Sequence, residues 1–168
     1  DAETPDEILT HHQHAWTEHK TDRIAGFAKH FTTLIHTHRP DTVIGAYMCP
    51  WTPEEFDGAL TRIFAQDYQK LSPYIDVFTP LIYVKKSGRT ARWGRDFLEQ
   101  SETFIPQKNK VALILDVLDY PDSLLETAKS NIPSWGFQMF GGEHVFADEE
   151  KAHLFKTSIE TIKSKLSV

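Results

Sequence analysis

Asp116 and Asp119 stand three residues apart, just after the apolar run Val111–Leu115. Two carboxyls at the end of a buried strand can divide acid and base duties between them. The competing reading is structural: Asp119 opens a turn at Tyr120-Pro121-Asp122, and Asp116 hydrogen-bonds loop backbone. Tyr83 ends a second apolar run, Tyr47 lies near the end of another, and Trp51 follows just beyond it. Sugars present flat C–H faces that stack on aromatic rings, so rings at strand ends suit a carbohydrate cleft. Packing against helices is the alternative, more so for Tyr47 and Trp51 than for Tyr83. Gln138 interrupts the otherwise apolar Trp135–Phe140, so it either orients a ligand hydroxyl or satisfies neighbouring backbone.

Other residues invite chemistry less strongly. Lys85, Lys86, Arg89, Arg92 and Arg95 gather positive charge where an anionic substrate could meet it, although a solvated face explains them as well. Gly141-Gly142 could bring backbone amides to a phosphate, but a plain turn is the simpler reading. Neither Gly-x-Gly-x-x-Gly nor Gly-Lys-Ser/Thr occurs, so no nucleotide cofactor is expected. His11, His12, His14 and His19 lack acids or cysteines at ligand spacing and read as a surface cluster, with no metal expected. Cys49 has no visible histidine partner and reads as a small buried residue.

These residues must be positioned by one core. The 168 residues are 40% hydrophobic, enough for one domain spanning 1–168 and too few for two. Lys plus Arg total 18 against 24 Asp plus Glu, a formal charge of -6 with no basic stripe, so nucleic acid is not an expected partner. A single cysteine rules out an intrachain disulfide. No apolar run approaches the roughly 20 residues of a membrane helix, and no membrane partner is expected.

Thr4-Pro5-Asp6-Glu7 predicts a helix start, running to about residue 19. From Thr21, Ile24, Phe27, Ala28, Phe31, Leu34 and Ile35 recur at helical spacing until Arg39-Pro40, which predicts a second, amphipathic helix. After these N-terminal helices, residues 41–168 read as four β/α units with strands over about 42–48, 76–84, 110–116 and 135–140. Helices are predicted from Thr52-Pro53, over 92–104, over 123–130 and over 148–165. Strands apolar throughout, alternating with helices, indicate an α/β fold with a parallel sheet covered on both faces. Half of a TIM-type barrel and an open doubly wound sheet both fit this count.

Three segments favour the barrel. Residues 39–51 with Ile44-Gly45-Ala46-Tyr47 and Pro50-Trp51, then Gln66-Asp67, then Tyr74-Ile75-Asp76-Val77-Phe78-Thr79-Pro80-Leu81-Ile82-Tyr83, resemble the fifth and sixth strands of glycoside-hydrolase-like (β/α)8 barrels. Trp135–Phe140 resembles the eighth strand of that family, whose last residues close the sugar-binding floor. The resemblance covers about residues 20–145. It implies that the chain is the C-terminal half of such a barrel, with Trp135 among the carbohydrate-binding residues. The strand-four end commonly supplies a catalytic carboxylate in this family, and that strand has no counterpart here. A four-stranded half would also have two free edges and an uncovered inner face, so a second copy or a missing N-terminal half is expected to complete it.

Three functions follow as expectations. One is a glycoside hydrolase acting on a poly- or oligosaccharide with Tyr83, Asp116 and Gln138 lining the cleft. Another is a non-catalytic carbohydrate-binding or structural relative of that barrel. The third is a phosphate-recognising α/β domain using the glycine pair and the basic loop.

Overall fold

A computed structural model describes residues 4–119, 122–132 and 134–166, so the turn read at Tyr120-Pro121 lies outside the described residues. Two helices come first, α1 (Pro5–His11) and α2 (Gln13–His38). Thr4 caps α1 reciprocally with Glu7, as its sequence suggests. The helical break, however, falls at His12 and not near residue 20. Thr21 looks like a cap, but its side chain turns back to donate to Glu18 O at 3.0 Å and is buried, so it sits inside a continuous helix.

The α/β part follows as β1 (Gly45–Met48), α3 (Glu55–Arg62), α4 (Tyr68–Leu71), β2 (Val77–Ile82), α5 (Trp93–Ser101), β3 (Lys110–Asp116), α6 (Asp122–Ala128), β4 (Gly136–Phe140), α7 (Glu143–Phe146) and α8 (Glu149–Leu166). A 3-10 turn at Val117–Asp119 joins β3 to the segment before α6. The sheet is wholly parallel with strand order β1-β2-β3-β4. Each strand lies beside its predecessor, and right-handed crossovers then place the connecting helices on one face. A doubly wound sheet reverses its strand order at a switch point, and no reversal occurs among these strands. The order is that of half a TIM-type barrel, and equally that of the strands on one side of a doubly wound sheet's switch point.

The register sorts the strand residues cleanly. Met48, Phe78, Ile82, Val84, Leu113 and Leu115 face the helices and form the core with Leu60, Tyr68, Phe97, Leu98 and Leu124. The other face, the inner one of a barrel, carries Tyr47, Thr79, Leu81, Ile114, Asp116, Gln138 and Phe140. All the polar strand residues named above thus share one side. Tyr47 Oη donates to Gln138 Oε1 at 3.0 Å, linking β1 to β4 over the two strands between them. Strand spacing of about 4.8 Å would set these strands some 14 Å apart if flat, so this bond requires the sheet to curl toward its inner face. Beneath it Thr79, Ala112 and Ile114 are buried, so the middle of the inner face is roofed by the chain's own side chains, contrary to the uncovered face expected.

Helix α2 docks on the connection between β1 and β2. Lys70 Nζ on α4 reaches Glu18 at 2.8 Å, Asp22 at 2.7 Å and Thr21 Oγ1 at 2.9 Å, and Thr32 Oγ1 donates to Tyr74 O at 2.9 Å. The contacting face is built from Thr21, Ala25 and Thr32, with Ala28 and Ile35 half-buried. The bulkier stripe of Ile24, Phe27, Phe31 and Leu34 is exposed. Small residues let α2 approach closely, which turns its large apolar residues outward, beside the free edge of β1.

Candidate functional site

At the C-terminal ends of β1 and β2, where barrels and open α/β sheets carry their sites, lies a cleft of about 330 Å³. Tyr47, Cys49, Trp51, Phe64, Leu81 and Tyr83 line it. Three of the aromatic residues expected at strand ends therefore meet in one place. Trp51 is wedged between Phe56 at 4.7 Å and Phe64 at 5.4 Å, ring centre to ring centre. Gln66 fixes the wall: its Oε1 accepts from Cys49 N–H at 2.7 Å and its Nε2 donates to Tyr47 O at 3.4 Å. Ala65, at φ +54, reverses the chain after α3 and returns Gln66 to β1. Phe64 had no periodic or motif signal in the sequence, and Gln66 had only its place in the Gln66-Asp67 segment of the family resemblance.

The segment after Trp51 is held in an uncommon conformation. Phe56, Asp57 and Gly58 have φ of +53, +57 and +68, a left-handed turn at the start of α3 that leaves Phe56 exposed and in ring contact with Trp51. Arg62 clasps this turn by donating to Phe56 O at 3.2 Å and Asp57 O at 3.1 Å. Glu55 Oε2 accepts from Thr52 N–H at 2.8 Å while its Oε1 pairs with Arg89 at 2.5 Å.

Both candidate carboxylates sit at the end of β3, and each is engaged. Asp119 is buried, accepting from Val84 N–H at 2.6 Å and Lys85 N–H at 2.8 Å, so it fastens the loop after β2 rather than opening a catalytic gap. Asp116 accepts from Leu118 N–H at 2.9 Å and pairs with Lys86 Nζ at 2.6 Å. Burial pushes its carboxyl up, but the Lys86 ammonium and the Leu118 amide together outweigh this and hold its pKa below the ordinary value. Asp116 is thus a carboxylate kept ionised, the reverse of a general acid.

Cys49 lines the cleft, and its thiol is pushed up to about 11, first by burial, against which the Trp51 amide pulls down, and then by the Glu55 charge. It stays a thiol at neutral pH. Gln138 is exposed and is occupied by Tyr47. Trp135, expected among the carbohydrate-binding residues, stands apart from this cleft: it precedes β4 at the opposite end of the sheet, beside Ile105, Pro106 and Ile132, with its backbone N–H bonded to Val111 O at 2.8 Å. Residue parity carried the signal, because Trp135 and Phe137 alternate with Gln138 and Phe140.

The basic loop is paired within the fold. Besides Lys86, the Lys85 ammonium donates to Leu118 O, Arg89 pairs with Glu55, and Arg92 and Arg95 share Glu126 at 3.9 and 3.1 Å. Its positive charge is therefore largely neutralised before any anionic ligand arrives. Gly141, at φ +75, makes a turn into the four-residue α7, which accounts for the glycine pair. Among the described residues no group of three or more His, Cys, Asp or Glu could hold a metal ion, and no helix is long and apolar enough to cross a membrane. Compared with known proteins, the chain matches no family model, no curated protein and no solved structure.

Proposed function

We propose that this chain is a glycoside-hydrolase-like half-barrel that binds an oligosaccharide in the cleft between Tyr47, Trp51 and Tyr83, and that hydrolysis requires carboxylates from the half that completes the barrel. The convergence of these three rings at the C-terminal ends of adjacent strands carries the reading. Their faces suit C–H stacking, while Ser87 and Gln66 at the same cleft can meet hydroxyls. Glycosidic cleavage needs one carboxyl able to give up a proton and a second about 5 to 9 Å away. Asp116 is ionised in its pair with Lys86 and Asp119 is committed to two backbone amides, so neither suits the acid role. This favours binding over turnover by the chain alone. Completion is supported by the free edge of β1 and the exposed stripe of α2, which line one apolar groove.

Calorimetric titration with a panel of neutral oligosaccharides tests the reading. At least one should bind, and Tyr83→Ala should weaken it about tenfold, the order expected for losing one stacked ring, at unchanged Tm. A drop in Tm of several degrees would make Tyr83 a core residue, and a panel without binders would remove the carbohydrate reading.

A further inference from the structure

Beside the cleft, three groups surround one ammonium. Lys86 Nζ lies 2.6 Å from Asp116 Oδ2, 4.9 Å from the centre of the Tyr83 ring and 5.2 Å from that of Phe140. The two rings stand 5.8 Å apart and inclined at 43°. Rings that present their negative faces to a cation, closed by a carboxylate, make the general arrangement by which proteins recognise amine ligands. Here the cation is supplied by the chain. The carboxylate belongs to the sheet, with only 3% of its side chain exposed, whereas the Lys86 side chain is 52% exposed on the turn 84–88. That turn ends at Gly88, at φ +62, which has open space around it. The receptacle is therefore built into β3, β4 and the end of β2, and its occupant hangs on a surface turn.

The geometry points to Tyr83, Phe140 and Asp116 as a binding site for the ammonium group of an amino sugar, with Lys86 as the resident stand-in that swings to solvent when the ligand enters. Tyr83 belongs to both the cleft and the receptacle, so a sugar stacked in the first can present its amine to the second. Exchange of one ammonium for another keeps the buried carboxylate paired, so no charge is stranded. A neutral sugar lacks this exchange, and an anionic one would meet Asp116. The choice of an amino sugar rests on the carbohydrate reading above, while the cation site does not.

The test uses the whole chain at about pH 6, where an amino-sugar nitrogen carries its proton. Oligomers of glucosamine are titrated against their N-acetylated counterparts, and Lys86→Ala is melted with and without propylammonium, which carries the cation but no sugar. Glucosamine oligomers should bind about tenfold more tightly than the acetylated ones, and Phe140→Ala, at an exposed position, should abolish the preference. Propylammonium should raise the Tm of Lys86→Ala and leave that of the parent chain nearly unchanged. Equal affinity for both oligomers would overturn the amino-sugar assignment and leave a neutral-sugar cleft. Absence of any sugar binding, with propylammonium still stabilising Lys86→Ala, would sustain the cation site and overturn the carbohydrate reading. If neither sugar nor propylammonium acts, or if Lys86→Ala fails to fold and Phe140→Ala leaves the preference intact, the site is refuted.

Discussion

At the level of single residues, Asp116 has two neighbours that its sequence context does not announce. The backbone contact is local, Leu118 being two residues away, and follows from the aspartate's ability to close a short turn. The Lys86 pair spans thirty positions and exists only because β2 and β3 are adjacent. Its consequence for stability has a definite sign. The folded pKa of Asp116 is lowered, so its contribution is complete above the unfolded value near 4 and is lost as the pH falls through the lower folded value. The pKa of Lys86 is raised, through its bond to Asp116, so its contribution is complete below the ordinary lysine range and is lost as the pH rises past it. Urea unfolding from pH 7 down to pH 2 should show an acid limb that flattens or inverts in Lys86→Met, where burial is left to push Asp116 up. An unchanged limb in that variant would mean that the pair contributes nothing. By the same logic Asp116→Asn lowers stability, since it removes half of the pair.

The residues of the cleft were partly legible in advance. Tyr47, Trp51 and Tyr83 stand at strand ends that apolar runs and prolines mark, and the fold brings them together. Phe64 and Gln66 reach the cleft only through the reversal at Ala65, a positive φ at an alanine that no turn rule foretells. Phe140 joins Tyr83 through register across three strands, which a single sequence does not specify.

Elements were easier to read where burial is two-sided. The strand over 110–116 was expected with the bounds it has, because β3 is buried along most of its length and its apolar run has abrupt ends. Helix α2 shows the opposite case. Its apolar spacing was real, but two neighbouring stripes run along it, and the one that packs is the stripe of small residues. Hydrophobicity alone ranks phenylalanine above threonine and alanine, so it points to the wrong face whenever close approach decides the packing. The start of α3 departs further, since Thr52-Pro53 promised a regular helix and the chain enters a left-handed turn. Asp57 is exposed there at φ +57, where an L-residue is strained and glycine is not. Asp57→Gly should therefore stabilise the chain by about 0.5–1 kcal/mol, because the clasp from Arg62 uses the backbone carbonyl that glycine retains. A loss of stability would place the weight on the 3.8 Å ion pair between Arg62 and Asp57 instead.

Over the whole molecule, sequential winding leaves Gly45–Met48 and Gly136–Phe140 as the two edge strands of the sheet among the described residues. Alternating elements predicted an α/β sheet but left its strand order open, because order depends on crossover direction and not on any residue pattern. The two edges run in the same direction, so a second copy related by a twofold axis along the strands could join β1 to β4 on both sides and close eight strands. Light scattering of the purified chain should accordingly give twice the 19.3 kDa of a single copy. A monomer at micromolar concentration would assign the edges to a different partner half.

The hydrogen bond from Tyr47 to Gln138 has a bearing on how the chain reaches this state. It joins residues 91 positions apart on the first and last strands, so it cannot form until both intervening strands have taken their places. Closing so large a loop is entropically unfavourable until β-α-β docking has already shortened it. The bond is thus a keystone laid last, and its presence certifies that all four courses of the arch stand beneath it.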